Sequence, residues 1–366
     1  MYDYLIVGAG YAGSILAERI ASQLNKRILI IDKRNHIAGN AFDFYNEHGI
    51  LVHKYGPHWF HTNNKKVFDY LSQFTSWRFY EHKVKSSIDG KLYPFPINRD
   101  TLNLLYHYNF INDKEVQDYY NSVKLSIKNP RNSEEMVLSL VGEDLFNKFY
   151  KGYTLKHWGM EAKNLAPSVT ARIPVRTNMD DRYFTDTYQG IPEKGYTEMF
   201  NKMLRNKNIT IMVKTDYKDI IDLVKFNKMV YTGAIDEFFD FTFGKLPYRS
   251  LRFEHETLDR EFYQICQQVN YSNDFAFTRI VEWKHATGQK HSKTTITKEY
   301  AMDAENGMDK YYPVPHNDSS NLYNKYRREV DKIKSVIFCG RLADYKYYNM
   351  DQVTARALSI FEKIFK

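Results

Sequence analysis

Cysteine is scarce. The 366-residue chain has two, Cys266 and Cys339, and neither stands in a CxxC or beside a histidine at metal-ligand spacing. A disulfide framework and a structural zinc site are therefore not expected, and a reducing compartment is. Long apolar runs are missing too. The longest stretch without a charge, Tyr4 to Ala17, is 14 residues broken by three glycines, too short to span a bilayer. The chain as given opens Met1-Tyr2-Asp3-Tyr4 without the basic segment of a secretory leader, so a cytoplasmic protein is expected. There is no Gly-x-Ser-x-Gly elbow, Walker loop or paired-carboxylate site, and no nucleic-acid-binding motif. The expected partner is a small molecule, with no nucleic acid and no membrane.

What is present is an ordinary globular composition, 43% hydrophobic and 26% charged, at a length that suits about two domains. Aromatics make up 16% of the chain, with 30 tyrosines, and 52 Lys and Arg against 44 Asp and Glu leave a net charge of +8. A basic balance points to an anionic partner. Tyrosines interleaved with Arg and Lys suit a diphosphate with a stackable base; the plain alternative is a Tyr-rich core.

Tyr4-Leu5-Ile6-Val7 reads as a buried strand running into Gly8-Ala9-Gly10-Tyr11-Ala12-Gly13, with a helix from about Ala12 to Leu24. A second strand, Arg27 to Ile31, ends at Asp32, 19 residues beyond Gly13. Gly8 permits the tight turn, Gly10 lets a pyrophosphate approach the backbone, and Gly13 lets helix and strand pack closely. The helix N-terminus faces the negative charge and Asp32 can accept from ribose hydroxyls. The whole unit predicts a bound dinucleotide. The basic, glycine-containing loop Lys33 to Asn40 is more typical of FAD than of NAD. So is the far end of the chain, where a strand over Ser335–Arg341 is followed by a helix from Met350 to Ile364. Lys228 to Gly233 reads as another strand of that sheet.

Between these pieces the pattern is helical from Asp100 to Gly159. Asn132-Ser133-Glu134-Glu135 starts a helix with Val137, Leu140 and Val141 on one face and Gly142 at its end. Leu145 to Lys151 is a further turn or two, ended by Gly152. From Arg249 to Tyr300 alternation takes over, and Leu251–Glu254 and Thr294–Tyr300 read as half-buried antiparallel strands. The expected fold class is α/β: a discontinuous Rossmann-like FAD-binding domain over 1–75, 190–240 and 325–366, a helical insertion over 99–165, and an antiparallel-sheet domain over 76–98, 166–189 and 241–324.

Several clusters could carry chemistry. His53, His58 and His61 fall within nine residues around Gly56-Pro57. They lack a carboxylate or Cys at useful spacing, so no metal is expected, and a bend carrying His58 and His61 toward cofactor or substrate is. Phe149 to Gly159 is an aromatic-rich helix end followed by a loop. Tyr153 and Trp158, beyond Gly152, form either core or a stacking platform for a nucleobase. Arg172 to Arg176 is either a solvated turn or a phosphate clamp. Tyr311-Tyr312 and Tyr345 to Tyr348 cluster hydroxyls. The motifs by themselves do not choose a reaction.

Together these segments resemble the flavin-dependent UDP-galactopyranose mutases of the bacterial type, over nearly the whole chain. The resemblance runs through Lys33–Ile37, His53–Gly56, Ser139–Asp144, Lys151–Thr154, Arg172–Arg176, Tyr188–Pro192, Lys298–Tyr300, Tyr311–Val314 and Gly340–Tyr348. It implies an isomerase without net redox change that converts UDP-galactopyranose to UDP-galactofuranose for cell-surface glycans. In that family reduced flavin is the nucleophile. Its N5 attacks the anomeric carbon, UDP leaves, the adduct opens to an iminium, and the sugar recloses as a five-membered ring. A homodimer is expected.

By matching motif, Phe149, Tyr150, Tyr153, Thr154 and Trp158 resemble the uridine pocket. Arg172, on a mobile loop near 167–178, and Arg279 resemble the pair of arginines that hold the diphosphate. Tyr183, Tyr312 and Tyr348 resemble its hydroxyl donors, and Asn270 and Glu299 match sugar-site positions. His58 resembles the histidine beside the flavin, with His61 near the sugar. FAD contacts are implied at Gly8, Gly10, Ala12, Gly13, Asp32, Lys33, Gly39, Asn40, His58, Gly340, Arg341, Asn349, Met350 and Gln352. The chain departs from the family pattern at Trp59, Pro94, Lys194 and Asp32. Trp59, between His58 and His61, either narrows the cavity around the hexose or points away and packs in the core. Relatives act on dTDP-fucopyranose and UDP-N-acetylgalactosamine, which keeps the sugar open. An amine-oxidase-like FAD oxidoreductase and an inactive nucleotide-sugar binder are the readings from other classes.

Overall fold

Near-continuous apolar runs belong to strands covered on both faces. In a computed structural model of the chain, which describes residues 1–305 and 308–364, the strands Tyr2–Val7 and Ile28–Ile31 are neighbours in a five-stranded parallel sheet. The order across it is Ile209–Met212, Ile28–Ile31, Tyr2–Val7, Phe226–Tyr231, Val336–Phe338. Successive side chains point to opposite faces. Ile6, Ile28, Ile30 and Val230 pack against Ile15, Leu16 and Ile20 of helix Tyr11–Leu24 and against Leu358 and Phe361 of helix Met350–Ile364. Leu5, Leu29, Ile31 and Met229 meet Ile235, Tyr326 and Val330 on the other face. This is the expected Rossmann-like α/β architecture, with its main strands and helices within a few residues of the sequence reading. Position 325, the expected start of the last dinucleotide-binding segment, lies inside helix Asn317–Val330.

A second sheet has seven strands in the order Tyr312–Pro313, Tyr248–Leu258, Thr294–Asp303, Arg279–Glu282, Gln268–Tyr271, Val84–Ile88, Lys91–Phe95. Its pairings are antiparallel except where Gln268–Tyr271 runs parallel to Val84–Ile88. A small three-stranded sheet joins Phe60–Thr62 and Trp77–Phe79 to Tyr188–Pro192. No helix among the described residues is long and apolar enough to cross a membrane.

The helical part begins three of its helices with asparagine. The side chains of Asn98, Asn112 and Asn132 accept from the backbone N–H of Thr101, Glu115 and Glu135 at 2.9, 3.0 and 2.8 Å, each satisfying a donor that the first turn leaves free. The interior departs from the sequence reading in two places. Val137 and Val141 are buried, but Leu140 is exposed. Gly142 does break the helical geometry, at φ +79, yet the helix resumes to Leu145. A Cβ on Gly142 would lie 2.4 Å from the Val123 carbonyl oxygen, so the break lets a neighbouring helix end press in.

Gly152 is the second correction. It does not stop a helix. It has helical φ and ψ and opens the helix Gly152–Trp158, which carries Tyr153 and Trp158 and ends at Gly159 in the left-handed region. A Cβ on Gly152 would sit 2.3 Å from the Ser272 carbonyl oxygen. The glycine is there for close approach, not for termination. The two causes give opposite signs for Gly152→Ala. Helix propensity alone would add about 1 kcal/mol of stability; the clash should instead remove about 1–3 kcal/mol. A melting temperature below that of the unmodified protein is the expected outcome, and a rise would show that Ser272 yields freely.

Candidate functional site

The strand–turn–helix unit builds a cradle out of glycine. Gly8 has φ +101, and a Cβ on it would lie 2.0 Å from Thr232 Oγ1, whose hydroxyl donates to the Val7 carbonyl at 2.7 Å. A Cβ on Gly13 would be 1.9 Å from the Gly8 carbonyl oxygen, and one on Gly39 would be 2.8 Å from the Gly10 Cα. Asp32 closes the turn by accepting from the N–H of Ala9 and of Arg34, both at 2.9 Å. Helix Tyr11–Leu24 starts at Gly10 with no side-chain cap. Its first N–H groups and the positive end of its dipole face the cleft. That uncapped terminus and the glycine cradle fit a dinucleotide pyrophosphate.

The cleft lies at the carboxyl ends of the parallel strands. Gly10, Ala12, Asn40, His58, Gly340, Arg341, Tyr348 and Met350 line it, all expected cofactor or substrate positions, together with Lys310 and Tyr311. Gln352 instead caps the last helix, its Oε1 accepting from the Asn349 N–H at 2.9 Å. Lys33 is exposed. Arg34, which the sequence reading did not single out, organises this end. It donates to Asn40 Oδ1 at 2.8 Å, pairs with Asp309 at 2.9 Å and lies over the Tyr55 ring at 4.1 Å.

The Gly56-Pro57 bend delivers His58 as expected. His58 Nδ1 is 2.9 Å from the Gly56 carbonyl, which can only accept, so Nδ1 carries the proton and Nε2 offers a lone pair. Burial, with the charges of Arg341 and Arg279, pushes its pKa down to about 4, so the ring is neutral. His61 is stacked on Phe184 at 3.6 Å and bonded to Asp186 at 3.0 Å, on the side of the site where His82 meets the same Phe184 ring. Trp59 does not form a wall with these two histidines. It packs into a core cluster with Ile50, Val281 and Trp283, and the ring it presses toward the site is that of His82, 5.4 Å away.

Register on the seven-stranded sheet sets the centre of the site. Asn270 is directly opposite Arg279, and Arg279 is opposite Glu299, so three polar side chains share one face across three strands. Glu299 is fully buried and accepts from Arg279 Nη2 at 2.7 Å. The Arg279 Nε is buried without a partner. Arg172, just after the short helix Ser168–Ala171, lies over the Tyr347 ring at 4.5 Å. Arg341 donates to the Tyr348 and Tyr311 carbonyls. Neither Arg172 nor Arg341 has a carboxylate partner among the described residues. The three guanidinium groups act together on Tyr347, and only Arg279 is paired with a carboxylate, a surplus of charge that suits a diphosphate.

The tyrosines fall partly as expected. Tyr153, Tyr183 and Tyr312 are within the field of Arg172 or Arg279. Trp158 stands 6.4 Å from Tyr312 and 6.2 Å from Tyr347. Tyr348 is a correction. Its surroundings are Asp344, Arg356 and Cys339, and the hydroxyl beside Arg172 belongs to Tyr347. Burial pushes the Tyr347 hydroxyl up, but Arg172 and Arg341 outweigh it and hold the group below the ordinary tyrosine value. The cluster Tyr345 to Tyr348 was visible in sequence; which ring turns inward was not. Phe149 and Tyr150 are buried in the helical core with Phe95, and Thr154 is buried on the next helix. His82, Gln268 and Tyr347 join the site without having been foreseen.

Two outcomes follow from this geometry. Arg279→Ala strands a buried carboxylate and should cost about 3–5 kcal/mol of stability. Arg172→Ala removes a cation–π contact and a hydrogen bond with Tyr347 from an exposed residue, and should cost no more than about 1–2 kcal/mol. Denaturant unfolding of the two variants separates them; equal losses would overturn the assignment of Glu299 to Arg279. The second outcome concerns pH. The folded-state pKa of His58 lies below its ordinary value of 6.5, so the unfolded chain takes up the proton first. Its contribution is complete above about pH 6.5 and is lost as the pH falls toward 4. The melting temperature should drop over that window, and less steeply in His58→Gln. Some slope remains in the variant, because His53 and His82 are lowered by burial in the same sense.

Comparison with known proteins bears on the family and the fold. A family model described as UDP-galactopyranose mutase matches residues 148–347, and one described as an NAD(P)-binding Rossmann-like domain matches residues 6–74. The chain is 35% identical to a dTDP-fucopyranose mutase of Escherichia coli, over 98% of this chain and 97% of that protein. It is 35% identical to a probable UDP-galactopyranose mutase of Klebsiella pneumoniae, over 97% and 93%. A UDP-galactopyranose mutase of Mycoplasma genitalium is 32% identical over 96% and 92%. The fold matches the crystal structure of a reduced UDP-galactopyranose mutase at TM-score 0.81 and 15% identity, covering 100% of this chain and 96% of that one. It also matches a putrescine oxidase at TM-score 0.61 and 10% identity, covering 100% and 99%.

Proposed function

The chain belongs to the UDP-galactopyranose mutase family, and from that premise we propose that it is an FAD-dependent isomerase interconverting the pyranose and furanose forms of UDP-galactose. The observation that carries this reading is the surplus of positive charge. Arg172, Arg279 and Arg341 converge on Tyr347 beside the dinucleotide cradle, and of the three only Arg279 has a carboxylate partner, Glu299. An oxidase of small amines would have no use for it.

A bound, reduced flavin would supply an electron pair for the anomeric carbon as the nucleoside diphosphate leaves. The chain's own residues do the rest. Gly8, Gly10, Gly39 and Gly340 would leave room for the pyrophosphate of FAD, and Asn40 and Arg341, in the same lining, would hold it. His58 faces the cofactor cleft as a neutral imidazole whose Nε2 accepts a hydrogen bond. Arg172 and Arg279 hold the departing diphosphate, and Tyr183, Tyr312 and Tyr347 donate to its oxygens. Tyr153 and Trp158 offer rings to the uracil. Glu299 is an acceptor for a sugar hydroxyl and Asn270 a donor. Arg172, exposed and reached by a short helix, moves with the segment 167–178 to close over the nucleotide and keep water from the reacting carbon.

The E. coli dTDP-fucopyranose mutase, at the same 35% identity, supports a second sugar. Anaerobic turnover of UDP-galactose, dTDP-fucose and UDP-N-acetylgalactosamine, with and without dithionite, tests both readings. Activity only with reduced enzyme, and highest on UDP-galactose, is expected; equal rates with oxidised flavin would sink the mechanism. Tyr347→Phe should lower kcat/KM by roughly tenfold or more, the loss of a hydrogen bond to a charged group at about 1.5–3 kcal/mol. Tyr348→Phe should change it far less. The reverse order would place the wrong tyrosine at the diphosphate.

A further inference from the structure

His82 is buried beside the site and touches Trp59, Tyr183 and Phe184 through its ring. It lies two residues before the start of the strand Val84–Ile88, in phase with the face that carries Ser86 and, in register with it, Asn270. Its two nitrogens face different partners. Nδ1 is 3.5 Å from the Tyr80 hydroxyl, and the ring hydrogen-bonds the Gln268 side chain. Gln268 Nε2 in turn donates to Asn270 Oδ1 at 2.8 Å.

The sense of this chain follows from its middle. The Gln268 side chain favours the protonated ring nitrogen, as an accepting Oε1 does and a donating N–H would not, so His82 Nε2 carries the ring proton and gives it to Gln268 Oε1. Nδ1 of the neutral ring is then the acceptor and takes the Tyr80 O–H, whose oxygen also receives the Lys83 backbone N–H. Gln268 gives its Nε2–H to Asn270 Oδ1, and Asn270 is left with two N–H groups that have no partner among the described residues. Burial and the nearby charges of Arg279 and His61 push the imidazole pKa down to about 3. The ring is therefore neutral, as a one-way relay requires, since an imidazolium could not accept from Tyr80.

We propose that His82 is a positioning residue which, through Gln268, locks the Asn270 amide with its N–H groups toward the substrate. The rung across three strands then reads donor at Asn270, donor at Arg279 and acceptor at Glu299. A sugar must present an accepting oxygen opposite Asn270 to satisfy it, and a free-turning amide would not enforce that. The inference deepens the nucleotide-sugar reading of this face and rests on it.

Two measurements decide the matter. His82→Phe keeps the ring packing but cuts the relay. It should raise KM for the nucleotide sugar several-fold with kcat within about twofold, the mark of lost uniform binding. His82→Gln can accept from Tyr80 and donate to Gln268 in the same sense, and should restore KM. In an Asn270→Ala background, His82→Phe should add nothing further; additive losses there would mean that His82 acts by itself and overturn the proposal. The second measurement needs no turnover. The ¹⁵N shifts of the His82 ring in the intact protein should show the neutral Nε2–H tautomer between pH 5 and 9. An Nδ1–H tautomer, or a titrating ring, overturns the relay even if no variant folds. Absence of mutase activity in the unmodified protein would strike the functional reading and leave the spectrum to judge the relay.

Discussion

The pairing of Arg279 with Glu299 is what the site depends on. Both residues sit in mid-strand on neighbouring strands, so their separation is set by the register of the sheet and not by side-chain flexibility. A carboxylate withdrawn wholly from water costs several kcal/mol, and Glu299 is tolerated because Arg279 donates to it at 2.7 Å. The pair also seats the histidine bend. A Cβ on Gly56 would come within 3.1 Å of Glu299 Oε2 and 2.9 Å of the Phe253 ring, so only glycine lets the chain cross there. The Gly56 carbonyl then receives His58 Nδ1. One buried ion pair thereby couples the sheet that carries Asn270 and Arg279 to the loop that carries His58. The partnerless Nε of Arg279 shows that this pair leaves the guanidinium incompletely satisfied, which is the condition of a group prepared for an anion.

Around that pair, the cleft is drawn from segments far apart in sequence. The parallel sheet gives Gly10 and Gly340, the seven-stranded sheet gives Asn270, Arg279 and Glu299, and the helical part gives Tyr153 and Trp158. Two consecutive residues of opposite charge hold the walls together. Asp309 pairs with Arg34 at 2.9 Å on one side, and Lys310 pairs with Glu237 at 2.9 Å on the other. Reversing either charge would set like against like across the cleft. The same logic explains why Lys310 and Tyr311 can line the cavity without leaving a stray ammonium: its charge is already spoken for.

Much of this was legible early. The strand–glycine–helix–strand–acid unit is local. Each of its requirements, a positive φ at Gly8 or a missing Cβ at Gly13, falls on the residue that the spacing names. The helix starts at Asn132 and the other asparagine caps are local as well. The errors share a different origin. Gly152 looks like a stop because glycine often is one, but the atom that demands it belongs to Ser272, 120 positions away. Leu140 fits the apolar face by spacing and is exposed, because the kink at Gly142 and the packing of the next turn reset which side is inward. Trp59 neighbours two site histidines in sequence and still belongs to the core beneath them.

The sequence by itself determined the class of the fold, the dinucleotide cradle and the identity of the charged groups, since these follow from short-range spacing and residue chemistry. Tertiary structure alone decided which of those groups meet. Tyr347 rather than Tyr348 reaches Arg172, and His82 reaches Asn270 through Gln268. The physical reason is that a strand or loop side chain changes direction with every residue, so a shift of one position gives a hydroxyl different neighbours: Arg172 for Tyr347, Asp344 and Arg356 for Tyr348. Only the packing of the two sheets fixes that phase.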